Sequence, residues 1–521
     1  MVLQRRGERL LAGSARRLLG DRRLLIATNR GPVTFVAGAQ GELRPRRGSG
    51  GLVTALSQVG HHVPVTWIAA PLSEGDRQGI VEPALIDRAI PGEMRLRFVP
   101  LERAQHEAAY NVIANPLLWF LQHQMWELPT RPMIDAGTLR AWDNGYVPVN
   151  QAFALAVLRQ ARDDVEPRIM LHDYHLYLAP AMIRARRPAA LISHFTHIPW
   201  PPSSLWQTIT PSIRTGIVAG LAGADVVGFQ TERYAHNFLR AVESFLPGAR
   251  VDHRTRRVIL EDGHVAHVRD YPISIDVHAT RQVAASVRAR RRAEQLLAGA
   301  RGQIIVRVDR LEPSKNILRG FAAFEALLQR YPRLRGQVTF LAFLVPSRTG
   351  LREYGEYGRQ VQAAVDRINA RFGRADYRPV QIFYENNYAQ AIAGLAIADV
   401  VLVNPLVDGM NLVAKEAAVV SGRDAALVLS ETAGAYDQMA DGVLPVAPAD
   451  VAGTAEALRQ ALAMPPGERH ERHALLRRNV EREDIGWWLR RQMEDLVRVR
   501  ARRGGSARHG PGVRQRQRPA S

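Results

Sequence analysis

The sequence predicts an α/β protein with two parallel-sheet domains facing each other across a cleft. Three observations carry this. Ten short β-branched and apolar runs recur along the 521 residues, with helix-like stretches between them. Continuous apolar strands alternating with helices belong to parallel sheets covered on both faces, and so many strands divide more naturally into two sheets than one. Polar residues also gather where the runs end, and open parallel sheets bind ligands beyond the carboxyl ends of their strands.

In chain order the first five runs are Leu24–Thr28, Val65–Ala69, Arg168–Leu171, Leu191–Phe195 and Asp225–Phe229. A further run, His264–Asp270, precedes a boundary expected near Pro272–Val277. This assigns 24–275 to an N-terminal domain and 276–480 to a C-terminal one. The Arg-rich stretch Arg281–Gln295 reads as an exposed helix leading into the second domain. The remaining runs are Gln303–Val308, Val338–Leu344, Val380–Tyr384, Asp399–Val403 and Ala426–Leu429. Trp487, Trp488, Leu489, Met493, Leu496 and Val497 then form one apolar helical face, so 481–500 is expected to pack across both domains. Residues 1–23 read as a basic N-terminal extension and 501–521 as a disordered basic tail.

With no cysteine, the chain has no disulfide framework, thiolate metal site or cysteine nucleophile. No stretch approaches the roughly 18 apolar residues of a membrane helix, and the N-terminus lacks the apolar core of a signal peptide. The expectation is a cytoplasmic protein with no membrane partner. Net charge is +20, of which residues 1–23 carry +5 and residues 498–521 carry +8. Such ends suit nucleic acid, and a basic nucleic-acid-binding protein is the non-enzymatic reading. The C-terminal stretch is Gly/Pro/Gln-rich without aromatics for stacking, so no specific nucleic acid is expected. Homo-oligomerisation is left open. Of 70 basic residues only Lys315 and Lys415 are lysine. A lysine kept in such a chain points to a need for a compact ammonium, which arginine's planar fork replaces poorly.

Both lysines lie in segments with chemical content. From Asn404 to Glu416 a strand enters a loop, and Gly409 or Asn411 opens a helix. Gly409 lets the backbone approach a ligand, and the first helical amides are free donors for a phosphate or sugar hydroxyl. Asp408 and Glu416 lie about two turns apart and suit paired hydroxyls of a sugar or ribose; alone, they also read as a helix cap and a surface carboxylate. Arg310 and Lys315 bracket a turn containing Pro313. Two cations there suit a diphosphate whose charge grows as it leaves. The alternative is a loop salt bridge with Glu312.

His172, Asp173 and His175 follow one run, and His194 and His197 belong to the next. Their spacing matches no zinc pattern, so Asp173 and His197 are read as hydrogen-bonding groups for a polar substrate and no metal ligand is assigned. Asn29 and Arg30 follow the first run, Ser347 and Arg348 follow a later one, and the loop Gly48-Ser-Gly50-Gly51 suits an anion. The absence of GxGxxG and GxxxxGK[ST] in the right context argues against a dinucleotide oxidoreductase and a P-loop ATPase. Trp67, Tyr110 and Trp119 either line a sugar pocket or belong to the core.

Taken in order, these segments resemble the trehalose-6-phosphate synthase family of retaining glycosyltransferases, from about Leu24 to about Leu496. The most specific block is Asp408-Gly-Met-Asn-Leu-Val-Ala-Lys-Glu416. His172-Asp-Tyr-His-Leu, His197-Ile-Pro, Gly223-Ala-Asp-Val-Val-Gly-Phe-Gln-Thr231 and Leu427-Val-Leu-Ser-Glu-Thr-Ala-Gly-Ala435 support it. The resemblance implies the GT-B architecture, two Rossmann-like domains with a C-terminal helix crossing back to the first. It implies transfer of glucose from UDP- or GDP-glucose to glucose 6-phosphate, giving α,α-trehalose 6-phosphate, without metal or other cofactor.

By the same resemblance, Arg310 and Lys315 bind the donor diphosphate, helped by amides of Gly50 and Gly51, and Glu416 holds the ribose. Asp408, His197 and the backbone of Gly409, Met410, Asn411, Leu412 and Val413 hold the glucose and phosphates. Arg30, Tyr110, Trp119 and Arg348 bind the phosphorylated acceptor, Asp173 its hydroxyls, and Trp67 matches a further acceptor-side tryptophan. Arg310, Lys315, His197 and Asp173 form the catalytic set. Three segments depart from the family pattern. Leu311-Glu-Pro-Ser-Lys-Asn316 replaces Leu-Asp-Tyr-Ser/Thr-Lys-Gly, Trp67-Ile-Ala-Ala70 replaces Trp-x-Gly-Trp, and Pro405-Leu-Val-Asp408 replaces Pro-Leu-Arg-Asp. They keep two relatives in view: pseudo-glycosyltransferases that join a nucleotide-activated cyclitol to an aminocyclitol phosphate, and glucosylglycerol-phosphate synthase. No Asp-x-Asp-x-Thr phosphatase pattern follows, so a phosphorylated product is expected.

Overall fold

A computed structural model describes residues 2–37, 43–47, 63–90, 94–347 and 352–508. The strands of the first half are β1 (Leu24–Thr28), β2 (Val33–Ala37), β3 (Leu43–Arg47), β4 (Val65–Ala69), β5 (Arg95–Phe98), β6 (Arg168–His172), β7 (Leu191–Phe195), β8 (Val226–Phe229), β9 (Arg250–Asp252), β10 (Arg257–Ile259) and β11 (Val265–Asp270). Nine of them form one sheet in the order β5-β4-β1-β6-β7-β8-β11-β10-β9, parallel up to β11 and closed by the antiparallel pairs of β10. β2 and β3 make a separate antiparallel hairpin. The second half holds β12 (Gln303–Leu311), β13 (Val338–Pro346), β14 (Val380–Phe383), β15 (Val400–Val403), β16 (Ala426–Ser430) and β17 (Leu444–Val446). They form a six-stranded parallel sheet, β14-β13-β12-β15-β16-β17. All ten runs read from the sequence are strands.

Every residue of β1, β4, β6, β7 and β16 is buried, as sheets covered on both faces require. In each sheet the strand order reverses beside the half's first strand. The reversal lies between β1 and β6 in one sheet and between β12 and β15 in the other. A crevice opens at such a reversal. Pairing of Leu24 with Arg168 through Ala27 with Leu171 brings Asn29–Arg30 and His172–Asp173 out side by side.

Residues 271–276 run from β11 to the helix Val277–Ala285. The chain crosses back in the helix Ile485–Arg508, where Ile485 N–H donates to Ile275 C=O at 3.0 Å. Trp488, Leu489, Met493 and Leu496 are buried along that helix. The helix continues to Arg508, so residues 501–508, assigned to a disordered tail, are helical. Arg503 forms an ion pair with fully buried Asp225, which Arg184 also holds at 2.6 Å.

The N-terminal extension likewise contains a helix, Val2–Leu19, packed on the C-terminal one. Leu11, Ala15 and Leu18 repeat at helical spacing and are buried, and Arg500 donates to the Leu18 and Arg17 carbonyls at 3.0 and 2.9 Å. Charge at both ends is thus partly spent on holding the fold. Among the described residues no helix is long and apolar enough to cross a membrane.

Candidate functional site

Loops following β6 and β7 in one half and β12 and β15 in the other carry the candidate residues. After β12 the chain makes a one-turn helix, Pro313–Lys315. Fully buried Arg307 pins it, pairing with Asp309 at 2.7 Å and donating to the Lys315 carbonyl at 3.0 Å. Asn316 follows with φ 55°, a left-handed conformation glycine takes freely and asparagine tolerates best among other residues. Its amide donates to the Asn404 and Pro448 carbonyls at 3.0 and 2.7 Å. The departure at this position therefore preserves the turn, with side-chain bonds added.

The turn delivers Lys315 Nζ to the Asp408 carboxylate as an ion pair. Asn411, at φ 82°, donates to the same carboxylate at 3.1 Å and caps the helix Leu412–Val420 by accepting from Ala414 N–H. Burial pushes the Asp408 carboxyl up, but Lys315, His123 and Arg310 more than offset this and leave it below its usual range. Asp408 is therefore an ionised acceptor in a largely dry site. Gly409 lies directly against the first half. A Cβ built there would stand 2.0 Å from the His197 carbonyl oxygen, so any other residue would push the halves apart. Tyr234 of the first half donates to the Asp408 carbonyl at 3.1 Å.

Arg310 spans the cleft. Its guanidinium lies 5.2 Å from the centre of the Trp119 ring and 3.0 Å from Glu312, so the anticipated loop salt bridge exists alongside a cross-cleft contact. Trp119 is buried and stacked on His123 at 4.0 Å. Tyr110 is stacked between His106 and His175, at 5.8 and 5.9 Å.

Opposite stand Asp173 and His197. Asp173 has φ 72°, costing about 1–3 kcal/mol for a non-glycine residue and held only where its surroundings over-determine it. Here its N–H donates to Phe195 C=O at 2.8 Å and its carboxylate accepts from His197 N–H at 3.3 Å. His197 Nε2 lies 3.3 Å from His172 Nδ1. Burial holds His197 down at about 3, so the ring is neutral at neutral pH. Trp488 packs beside both imidazoles, 6.4 Å from His172 and 6.2 Å from His197.

Glu416 lies further along the wall, where it accepts from Tyr388 Oη at 3.0 Å. Desolvation raises its carboxyl to about 7. A pocket of about 390 Å³ opens beside it, lined by Arg288, Glu385, Asn386, Asn387 and Tyr388 among others. Met410 and Asn411 are buried, and Leu412 and Val413 are half-buried in the first helical turn.

Not every candidate joins this group. Trp67 is fully buried in β4, with its indole N–H given to Thr28 Oγ1 at 2.7 Å, so it is a core residue and the acceptor-side assignment is corrected. Arg30 is exposed at the end of β1. Gly50, Gly51 and Arg348 lie outside the described residues. His123, Tyr234 and Tyr388 were missed by the sequence reading. They sit in ordinary helical patterns, and only the fold brings them to Asp408 and Glu416. Among the described residues no group of three or more His, Asp or Glu side chains is placed to hold a metal ion.

Two facing parallel sheets with charged loops at both reversal points define a two-domain α/β protein built around an interdomain site. Residues 22–498 match the model of glycosyltransferase family 20, and the chain belongs to that family. It is 34% identical over 486 residues to a bifunctional trehalose-6-phosphate synthase/phosphatase of Thermoproteus tenax, covering 89% of this chain and 62% of that protein. The chain thus spans about three-fifths of that relative's length. It is 29% identical over 489 residues to a validamine 7-phosphate valienyltransferase of Streptomyces hygroscopicus subsp. jinggangensis, covering 93% of this chain and 96% of the relative. Among solved structures it resembles a UDP-forming α,α-trehalose-phosphate synthase of Burkholderia xenovorans in complex with glucose 6-phosphate. The TM-score is 0.77 at 27% identity, covering 91% of this chain and 99% of that one.

Proposed function

We propose that the protein is a retaining glucosyltransferase that moves glucose from a nucleoside-diphosphate glucose to glucose 6-phosphate, forming α,α-trehalose 6-phosphate. The observation that carries the reading is the convergence of Lys315, Asp408 and Arg310 after β12 and β15, with Trp119 under Arg310 and the His197 carbonyl packed on Gly409 from the other half. Arg310 and Lys315 take up charge as the nucleoside diphosphate leaves the anomeric carbon, the work a divalent ion does in other transferases. Fixed cations in a water-poor cleft suffice for this, so the reading needs no metal or other cofactor. When a donor enters, Lys315 exchanges Asp408 for a phosphate oxygen, and the freed carboxylate accepts from glucose hydroxyls. His197 and Asp173 orient the sugars on the opposite side. Attack on the same face, assisted by the departing phosphate, retains configuration without an enzyme nucleophile. Tyr110 and Arg30 serve the phosphorylated acceptor.

Incubation with UDP-, GDP- or ADP-glucose and glucose 6-phosphate, with chelator present, is expected to yield trehalose 6-phosphate and nucleoside diphosphate. No product with any donor rejects the reading. A second reading, coupling of a nucleotide-activated cyclitol to an aminocyclitol phosphate, is favoured by the valienyltransferase likeness over nearly the whole chain. Consumption of an aminocyclitol phosphate in place of glucose 6-phosphate would select it.

Glu416 supplies a pH test. Its carboxyl accepts from the donor ribose more strongly when ionised, and its pKa stands at about 7. Donor KM is therefore expected to rise as pH falls through 7, levelling off below about pH 6 at about fivefold to tenfold above its pH 8 value. Glu416→Gln should raise donor KM at pH 8 and remove most of that dependence. A donor KM that is flat from pH 8 to 5.5 in the wild type takes the ribose role away from Glu416.

A further inference from the structure

Lys315 has a role in the reading above; the chain's other lysine does not. Lys415 immediately precedes Glu416 but points the opposite way, into the protein, and is 1% exposed. Its ammonium donates to the Ile273 carbonyl and to Gln438 Oε1, each at 2.7 Å. Ile273 belongs to the first chain crossing. Gln438 in turn donates to Glu483, at the start of the second crossing, and its carbonyl accepts from Asn479 at 3.1 Å. One ammonium thus holds the donor-side helix to both places where the chain passes between halves.

The bonds continue beyond Ile273. Its N–H donates to Gln230 Oε1 at 2.9 Å, and Gln230 Nε2 donates to the His197 carbonyl at 3.4 Å. Gln230 is 2% exposed and lies in the Gly223–Thr231 segment, to which no chemistry has otherwise been assigned. That same His197 carbonyl oxygen is the atom a Cβ at Gly409 would meet first. The path therefore closes on itself: Lys415, Ile273, Gln230, His197, Gly409, and back along the helix Leu412–Val420.

We infer that Lys415 is a positioning residue: with Gln230 it ties the donor-side helix, the first crossing and His197 into one polar relay that fixes Glu416 and the amides of 409–413 relative to His197. This rests on the donor site proposed above. Two compact acceptors in a site with almost no solvent suit a primary ammonium, and a planar guanidinium has no room there. This accounts for a lysine in a chain that otherwise uses arginine. Burial lowers the Lys415 ammonium to about 7, with Glu483 opposing the shift, so the group is held by geometry at a cost in solvation.

The test compares the wild type with Lys415→Met, which keeps the volume and removes the donors. Leaving buried acceptors unpaired is expected to raise donor KM about tenfold while acceptor KM changes less than about twofold. Amide hydrogen exchange, measured without substrate, should quicken about tenfold at residue 273 and across 409–416, with β12 unchanged. A purely structural role would lower thermal stability and active fraction but leave donor KM and this exchange pattern alone. That result, or equal rises in both KM values, overturns the inference. Should Lys415→Met not fold, Lys415→Gln, which keeps an N–H donor, is read the same two ways with a smaller rise expected. If the wild type transfers no glucose, the donor reading fails on its own, and unchanged exchange in the variant still overturns the relay.

Discussion

Replacing Lys315 with alanine is expected to cut turnover by about 10²- to 10³-fold while the protein stays folded. The size follows from what the ammonium does. It stands where negative charge develops on a leaving diphosphate, and its surroundings are dry enough for that charge to be felt strongly. The backbone around it does not depend on the side chain, because Arg307 holds the turn through the Lys315 carbonyl and Asn316 holds it through two further carbonyls. Loss of the ammonium leaves Asp408 with Asn411 and with the nearby charge of Arg310, so its carboxyl shifts upward but is not stranded. Lys315→Arg should recover little, since a fork cannot occupy the space of an ammonium 12% exposed against Asp408. Steady-state rates with saturating donor, beside thermal melts of both variants, check this. Wild-type turnover in a folded Lys315→Ala protein would remove the lysine from the reaction.

That experiment turns on residues that stand out in the chain before it folds. Lys315 and Asp408 stand out because each follows an apolar run, and strand ends are where a parallel sheet exposes side chains to a ligand; Glu416 stands out by its spacing from Asp408 along the next helix. The ten long runs are legible for a related reason: burial on both faces demands uninterrupted apolar residues. β9, β10 and β17 have three residues each and lie toward or at sheet edges, where neither pattern nor length marks them. The N-terminal helix carries a readable Leu11, Ala15, Leu18 spacing, but seven arginines in 23 residues hide it as a solvated tail. Trp67 misleads in the opposite direction. An aromatic matches a sugar pocket in type, yet Trp67 is the central residue of β4 and is turned fully inward. Lys415 shows the remaining limit. Its rarity signals a requirement, but its acceptors lie about 140 residues away in sequence, at Ile273, or in another helix, at Gln438. A one-dimensional pattern cannot supply such partners.

Trp488→Ala is expected to cost about 3–5 kcal/mol of stability and to lower activity in the fraction that remains folded. The ring is fully buried at the start of the C-terminal helix, edge-on to Phe195 at 5.3 Å and beside His172 and His197. Its indole N–H donates to the Tyr271 carbonyl at 3.1 Å, on the first chain crossing. One side chain therefore joins the returning helix, the outgoing crossing and the back of the imidazole that faces the cleft. Truncation opens a cavity among all three and strands a buried carbonyl, so the transfer and cavity costs add. Trp488→Phe keeps much of the volume but not the donor, and should fall between alanine and wild type. Urea midpoints followed by far-UV circular dichroism give the stability order, and rates per folded molecule separate loss of fold from displacement of His197. If the alanine variant unfolds at the wild-type midpoint, the returning helix is held elsewhere, by Arg503 on Asp225 and Arg500 on the N-terminal helix. The contact with His197 would then be incidental packing.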